Sequence, residues 1–408
     1  MSVTTRLAWR NLWRHGRRTW LTVGAMIFCN ALLVFLISFQ YGTYGLMINS
    51  SLAVLTGHLQ VQQENYLEEP RMRYSIPAGA ALAQRLRQES GLTDIAARGT
   101  AFALASSEER SFGIQVLGVQ ADREPGVSSI PGLVKEGRYL DAEDAAEIVI
   151  GSVLARNLKV GVGDEITLLG SGRDGSFAAG IVIVVGILES GLTDLDRSVS
   201  QVPLAYFQET FAMGDHVHTI VAHVEALPMV ADAKARLAEL VTEPELVVLD
   251  WDELQPGLRQ AIMADMASAF FMYLILIVLV AFSVLNTQLM SVLERTREFG
   301  VMMALGLRPG GLARLVFLET ATMSLLGMAL GCLLGGAVTL YFQVNGLTFS
   351  GLEEAMEQYN LPATLHPELN LISLLAGPLI VFVGCMLAAI YPALRLFTLQ
   401  PVAAMRAV

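Results

Sequence analysis

Along this chain, long runs lacking Asp, Glu, Lys and Arg are separated by stretches in which apolar and polar residues alternate. Four runs reach the length a bilayer crossing needs, about 20 residues; they cover 19–63, 266–293, 320–352 and 369–394. None keeps the polar face of a helix at the surface of a soluble core. The first run exceeds one crossing and, if helical beyond Gln40, predicts a stalk that rises out of the membrane. It runs into Gly57-His58-Leu59-Gln60-Val61, whose alternation predicts the start of a strand.

Between the first two runs the period changes. Alternating or β-branched runs predict strands at 95–106, 112–119, 147–150, 165–169, 180–188, 217–224 and 246–250. Helical spacing predicts helices at 78–89, 153–158 and 229–241. This order predicts a split α+β unit over 57–265 with a second β-rich lobe, about 121–212, inserted between its halves. Asp122-Arg123-Glu124-Pro125-Gly126 and Met213-Gly214-Asp215 bound that insertion.

Composition agrees with a membrane protein carrying a large soluble part. The chain has 408 residues, 53% hydrophobic and only 16% charged, with a mean hydropathy of +0.52. That excludes disorder, collagen and a disulfide scaffold. A net charge of −11 argues against a nucleic-acid binder. The cysteines, Cys29, Cys332 and Cys385, all fall in apolar runs, so the soluble part stands on its own core.

Charge also orients the chain. The head 1–18 carries Arg6, Arg10, Arg14, Arg17 and Arg18 and no acid. The connection 294–314 adds Arg295, Arg297, Arg308 and Arg314, and the tail 395–408 adds Arg395 and Arg406. The connection 345–368 instead carries Glu353, Glu354, Glu357 and Glu368. The positive-inside rule therefore predicts both termini and 294–314 in the cytoplasm. It predicts 57–265 and 345–368 outside, with spans at 19–56, 266–293, 315–344 and 369–394. The stretch 64–265 has sixteen basic and thirty-one acidic residues, a net charge of −15. In the head, Ala8, Trp9, Leu12, Trp13 and Trp20 share one helical arc and the arginines the other, which predicts an elbow helix along the inner surface. Arg17-Arg18 is faintly like a twin-arginine signal, but the long run without a small-residue cleavage site predicts an uncleaved anchor.

Candidate chemistry is sparse. Two-residue spacing puts His216 and His218 on one strand face, a conceivable metal pair, yet no third ligand is indicated and no metal site is predicted. Ser106-Ser107-Glu108-Glu109 predicts a hairpin turn, and Asp194 with Asp196 a loop rather than a carboxylate pair. A P-loop motif G-x-x-x-x-G-K-[ST] occurs nowhere. No catalytic residue is predicted, so the chain reads as no enzyme. Aromatics gather near the outer ends of the first two runs: Phe35, Phe39, Tyr41 and Tyr44, with Phe270, Phe271 and Tyr273. They suit an acyl-chain entrance or an interfacial aromatic belt.

Glu294-Arg295-Thr296-Arg297-Glu298-Phe299-Gly300, continuing through Ala304 to Gly306, resembles the E-R-x-x-E-I-G-x-x-x-A-x-G stretch of ABC transporter permeases of the MacB, FtsX and LolC/LolE kind. Glu147-Ile148-Val149-Ile150-Gly151, followed by Leu154-Ala155 and Val160-Gly161-Val162-Gly163-Asp164, is similar to their periplasmic core domain. Tyr391-Pro392-Ala393-Leu394-Arg395 with Gln400-Pro401-Val402-Ala403-Ala404-Met405-Arg406 is similar to their C-terminal signature. With one span before the soluble domain and three after it, the resemblance covers essentially the whole chain.

The resemblance implies an inner-membrane, four-span permease subunit with a large α+β periplasmic domain, paired with a second copy or paralogue. It implies separate ABC ATPase subunits that hold ATP and Mg²⁺; this chain itself would carry no cofactor. Residues 294–300 would dock into the ATPase and transmit its movement. The likeness to LolC and LolE implies a lipoprotein or lipid-linked cargo and a periplasmic carrier or adaptor. The turn 170–176 is short, so the likeness does not extend to the long carrier-recruiting loop of LolC. The alternatives are a MacB-like exporter of peptides, toxins or drugs and an FtsX-like transmitter that transports nothing.

Overall fold

The computed structural model describes residues 10, 16–141, 144–348, 351 and 364–399. Most of the elbow stretch, including Arg6, Ala8, Trp9, Leu12, Trp13 and Arg14, lies outside the described residues, as do Glu353, Glu354, Glu357 and 400–408. The chain divides into two compact units, one of 1–44, 261–348 and 364–408, the other of 45–260 and 349–363.

The first unit is helical. Four helices are long and apolar enough to cross a membrane: Gly16–Thr56, Pro256–Glu294, Pro309–Asn345 and Leu371–Thr398. The third begins well ahead of its uncharged run, because extended Arg308 precedes Pro309, whose fixed φ suits the first helical turn. Leu371–Ala388 opens on a capping box in which Asn370 and Ser373 bond reciprocally. The first and third helices meet on glycines four residues apart. A Cβ on Gly327 would lie 2.6 Å from Met26 Cβ, one on Gly331 2.4 Å from Asn30 Cβ, and one on Gly335 2.8 Å from Ala31 Cα. Small residues at this spacing let two helix backbones approach where no hydrophobic effect drives association. Ser38 Oγ donates to Ser373 Oγ at 2.9 Å and ties the fourth helix to the first. The second helix is different; Phe270, Phe271, Ile275, Leu279 and Phe282 all stand exposed along it.

The second unit is built on ten strands: β1 Leu59–Gln63, β2 Ile95–Ser106, β3 Ser111–Val119, β4 Val134–Gly137, β5 Glu147–Gly151, β6 Glu165–Ser171, β7 Phe177–Leu188, β8 Val199–Pro203, β9 Thr219–Ala222 and β10 Leu246–Asp250. They run in the order β10-β1-β9-β2-β3-β8-β5-β7-β4, with β6 bridging β2 and β7. Because β6 pairs with both, β2, β3, β8, β5, β7 and β6 close into a ring. β2 serves both halves; Ile95 to Arg98 pair with β9, and Ala103 to Ser106 pair with β6. Strands from 121–212 complete the ring together with β2 and β3, which precede that stretch.

Alternation inside the ring buries Ala101, Ala103, Ile114, Val116, Ile148, Ile166 and Val182. Phe207, from the helix Leu204–Thr210, caps this core. Gly99 and Gly118 sit directly opposite one another. A Cβ on either would come within 2.4 Å of Phe207, so the two missing side chains make room for one ring. In the other half, the helices Gly79–Ser90 and Val230–Leu240 bury Leu82, Leu86, Ala233 and Leu237 with Leu59, Ile95 and Ile220 of the sheet. The strands at 134–137 and 199–203 were not apparent in the alternation, being short and, in β8, buried throughout.

Candidate functional site

The segment 294–300 does not stay a loop. After Glu294 ends the second long helix, Thr296–Ala304 forms a short helix of its own. Thr296 Oγ1 turns back to the carbonyls of Val292 and Leu293 at 3.1 and 2.8 Å, which eases the break between the two helices. The helix has two faces. Arg295, Phe299 and Gly300 are buried, while Glu294, Arg297, Glu298 and Val301 are exposed.

Arg295 fastens this helix to the unit. Its Nη1 donates to Glu319 Oε1 and Oε2 at 3.0 and 3.1 Å, and its guanidinium lies 4.9 Å over the Phe299 ring. Nε reaches Glu298 Oε2 at 3.4 Å. Glu294 Oε2 accepts from Arg18 Nη1 at 2.8 Å, joining the start of the first long helix to the end of the second. The expected docking segment thus separates into anchors and an outward surface. Arg297, Glu298 and Val301 face out with Leu305, which is 81% exposed.

The aromatic positions do not form one lining. Phe35 stacks on Phe39 at 6.2 Å and meets Phe342 edge-on at 5.8 Å, inside the helix packing. Tyr273 Oη donates to Gln40 Oε1 at 2.9 Å, and Tyr44 Oη donates to Asp265 Oδ2 at 2.6 Å. Tyr41, Phe270 and Phe271 are exposed. Asp265, which joins the first two long helices here, went unnoticed because it lies just outside the uncharged run.

In the second unit, a buried ion pair also escaped sequence reasoning. Arg98 Nη2 donates to Glu124 Oε1 at 2.6 Å and Nε to Oε2 at 3.1 Å, both side chains being sealed from solvent. Gln201 Nε2 adds a third bond to Glu124 at 3.1 Å, and Tyr139 Oη donates to Gln201 at 2.6 Å. Burial, with Glu124 beside it, holds the Tyr139 phenol above its ordinary range. Arg98 also donates to the Leu55 carbonyl, Ser128 Oγ to that of Val54, and the Ser129 amide to that of Ala53. The turn Leu52–Thr56, which follows the first long helix, is thereby bonded to the sheet.

The remaining candidates have local hydrogen-bond partners. His216 and His218 precede β9 rather than sharing a strand face. His218 Nδ1 accepts from the Thr100 amide at 2.9 Å, whereas His216 bonds Ser75 at 3.0 Å. Among the described residues no group of three His, Cys, Asp or Glu side chains is placed to hold a metal. Asp196 Oδ1 accepts from the amide and hydroxyl of Ser190 and so closes a loop. Ser107 and Glu108 lie in the turn between β2 and β3.

Two family models match the chain. Residues 270–401 match the FtsX-like permease C-terminal, and residues 19–240 match the MacB-like periplasmic core domain. The lipoprotein-releasing system transmembrane protein LolE of Haemophilus influenzae is 25% identical over 367 residues, covering 87% of this chain and 86% of that one. The corresponding LolC of Xylella fastidiosa is 25% identical over 316 residues, covering 73% and 74%. The periplasmic region of MacB from Actinobacillus actinomycetemcomitans aligns at 15% identity and a TM-score of 0.37, covering 51% of this chain and 94% of that one. With more than half of the chain matched by the periplasmic core and most of the remainder by the permease domain, the chain belongs to the ABC transporter permeases of the MacB, FtsX and LolC/LolE family.

Proposed function

We propose that this permease couples a separate ATPase, bound at the outward face of Thr296–Ala304, to movement of the 57–265 domain, and so draws lipid-anchored protein from the inner membrane. The observation that carries the reading is the two-faced short helix. A segment that transmits force must be rigid on the side joined to the permease and open on the other. Arg295 and Phe299 supply the first property; Arg297, Glu298, Val301 and Leu305 supply the second. Mixed charge around an apolar centre suits a protein groove.

In this reading, movement passes along the first long helix. Glu294 holds Arg18 at the start of a helix that runs unbroken from Gly16 to Ser51. Such a helix is about 54 Å long and transmits displacement along its axis. Arg98, Ser128 and Ser129 bond the turn Leu52–Thr56 to the sheet. ATP and Mg²⁺ would be held by the partner subunits, and a second permease copy or paralogue would complete the assembly. Arginine distribution supports cytoplasmic termini and a periplasmic 57–265. Acyl cargo fits the exposed Phe270 and Phe271, since each methylene withdrawn from lipid is worth about 0.8 kcal/mol and calls for an energy source.

The short turn Gly172 to Ser176 between β6 and β7 favours a second reading, an exporter or force transmitter without a carrier docked there. Co-purification tests the first. Leu305→Glu with Arg297→Glu is expected to release the ATPase subunits while the permease stays folded, and retention of ATPase and transport would overturn the docking face. Photoreactive residues at Phe270 and Phe271 separate the cargoes; capture of acylated protein is expected, and capture of unacylated peptide alone would favour the exporter.

A further inference from the structure

We propose that the groove between the start of the third long helix and the end of the fourth binds one diacyl phospholipid with an anionic headgroup. The groove holds about 410 Å³. One wall carries Gly310, Arg314 and Phe317, the other Ile390, Leu394 and Phe397. Both sets fall at i, i+4 and i+7, so each wall is a single helix face. Two local features shape the slot. A Cβ on Gly310 would meet nothing within 4 Å. The fourth helix breaks at Ala389, because Pro392 has no N–H for the Ala388 carbonyl, and Ile390–Arg395 continues as a separate segment.

Arg314 is the charged residue of this lining; it is exposed and has no side-chain partner among the described residues. It is the last exposed charge before the uncharged run 320–352, and Arg395 is the first after 369–394. The two arginines put the groove at the membrane–water boundary, on the side the arginine distribution assigns to the cytoplasm. Neither 299–318 nor 369–399 contains Asp or Glu, so neither segment neutralises them. Charge complementarity therefore selects a phosphate whose headgroup adds no cation of its own. With the phosphate at Arg314, the tails lie along Phe317 and Ile390, the ends of the two walls nearer the bilayer interior. A protein segment would bring backbone N–H and C=O groups against apolar walls that offer them little, whereas acyl chains bring none. Free phosphate would leave those walls uncovered.

The groove shares no residue with the outward face of Arg297, Glu298, Val301 and Leu305, so failure here leaves the docking face untouched. The test uses the full chain in phosphatidylcholine nanodiscs doped with phosphatidylglycerol that carries a diazirine midway along one acyl chain. Labelled peptides are mapped by mass spectrometry. Labelling of the peptides holding Phe317 and Ile390 is expected to exceed that by the matching phosphatidylcholine probe about tenfold, as one charge-assisted hydrogen bond implies. Arg314→Gln is expected to remove the excess, and Arg314→Lys to keep most of it. Gly310→Leu obstructs the groove from an exposed position and is expected to lower labelling by both probes; unchanged thermal midpoints certify the folds. Unlabelled phosphatidylglycerol is expected to compete, and glycerophosphate is not. Absence of label from both walls would show that protein covers the groove. That result, equal labelling by the two probes, an unaltered excess in Arg314→Gln, or competition by glycerophosphate would each overturn the proposal.

Discussion

Arg295 and Glu319 form a buried pair in which one guanidinium nitrogen lies 3.0 and 3.1 Å from the two carboxylate oxygens. Arg295 lies at the break just before the helix Thr296–Ala304 and Glu319 on the third long helix, and neither is more than one-tenth exposed. The pair is where the proposed docking helix is held to the third membrane helix. Breaking it from one side strands a charge in a site that water does not reach.

Glu319→Leu is therefore expected to destabilise the membrane unit by about 3 kcal/mol. It is also expected to loosen Thr296–Ala304, seen as faster hydrogen exchange of the Phe299 and Gly300 amides. Arg295→Met combined with Glu319→Leu is expected to recover most of the stability, because no charge remains unpaired. Normal protection at Phe299 in the single variant would show that the pair does not anchor the helix.

At Gly331 a Cβ would sit 2.4 Å from Asn30 Cβ and 3.1 Å from the Ile27 carbonyl. Gly331→Leu is expected to force the first and third helices apart and lower the thermal midpoint in detergent, at a cost of about 2 kcal/mol. Gly336→Ala is the control, since its Cβ would meet only Leu374 Cδ1 at 3.4 Å. Equal midpoints for the two variants would contradict the close helix contact.

Burial lowers the His218 imidazole from 6.5 to about 4, and burial followed by the His223 ring does the same to His58. Both rings are held neutral, with Nδ1 accepting from the Thr100 and Val224 amides. Between pH 6.5 and about 4 the unfolded chain binds more protons here than the folded one, so stability is complete above pH 6.5 and falls as pH falls. A shift of this size is worth about 3 kcal/mol per group. Amide protection in β1, β2 and β9, corrected for intrinsic exchange, is expected to drop between pH 7 and pH 5. Replacing both histidines by Gln is expected to flatten that dependence; an unchanged slope would assign it to other groups.

The arginine distribution fixes an expected topology. A cysteine at Ser171 is expected to react with an impermeant thiol reagent added to intact spheroplasts, and a cysteine at Leu305 only after lysis. Leu305 is 81% exposed, so lack of access in sealed cells reports the membrane rather than the fold. Labelling at Leu305 from outside would reverse the orientation.

What the sequence determined by itself was the local and the one-dimensional. Four uncharged runs sufficed for the four long helices, because lipid leaves a backbone few ways to satisfy its polar groups. Alternation located β2, β3, β7 and β10 to within a few residues, since the period of two is written wherever one strand face is buried. The stretch 294–300 stood out by its residues alone. Tertiary structure decided which of those residues turn inward. Arg295 and Arg297 are equivalent as letters, and only the helix break at Arg295 and the presence of Glu319 on the third long helix bury the first and leave the second exposed. The ring of strands was equally hidden, because β6 closes onto β2 across about sixty residues and register between distant strands leaves no local trace. The same holds for Arg98 with Glu124 and for Tyr44 with Asp265. A polar side chain acquires its partner only when the whole fold has decided what lies opposite it.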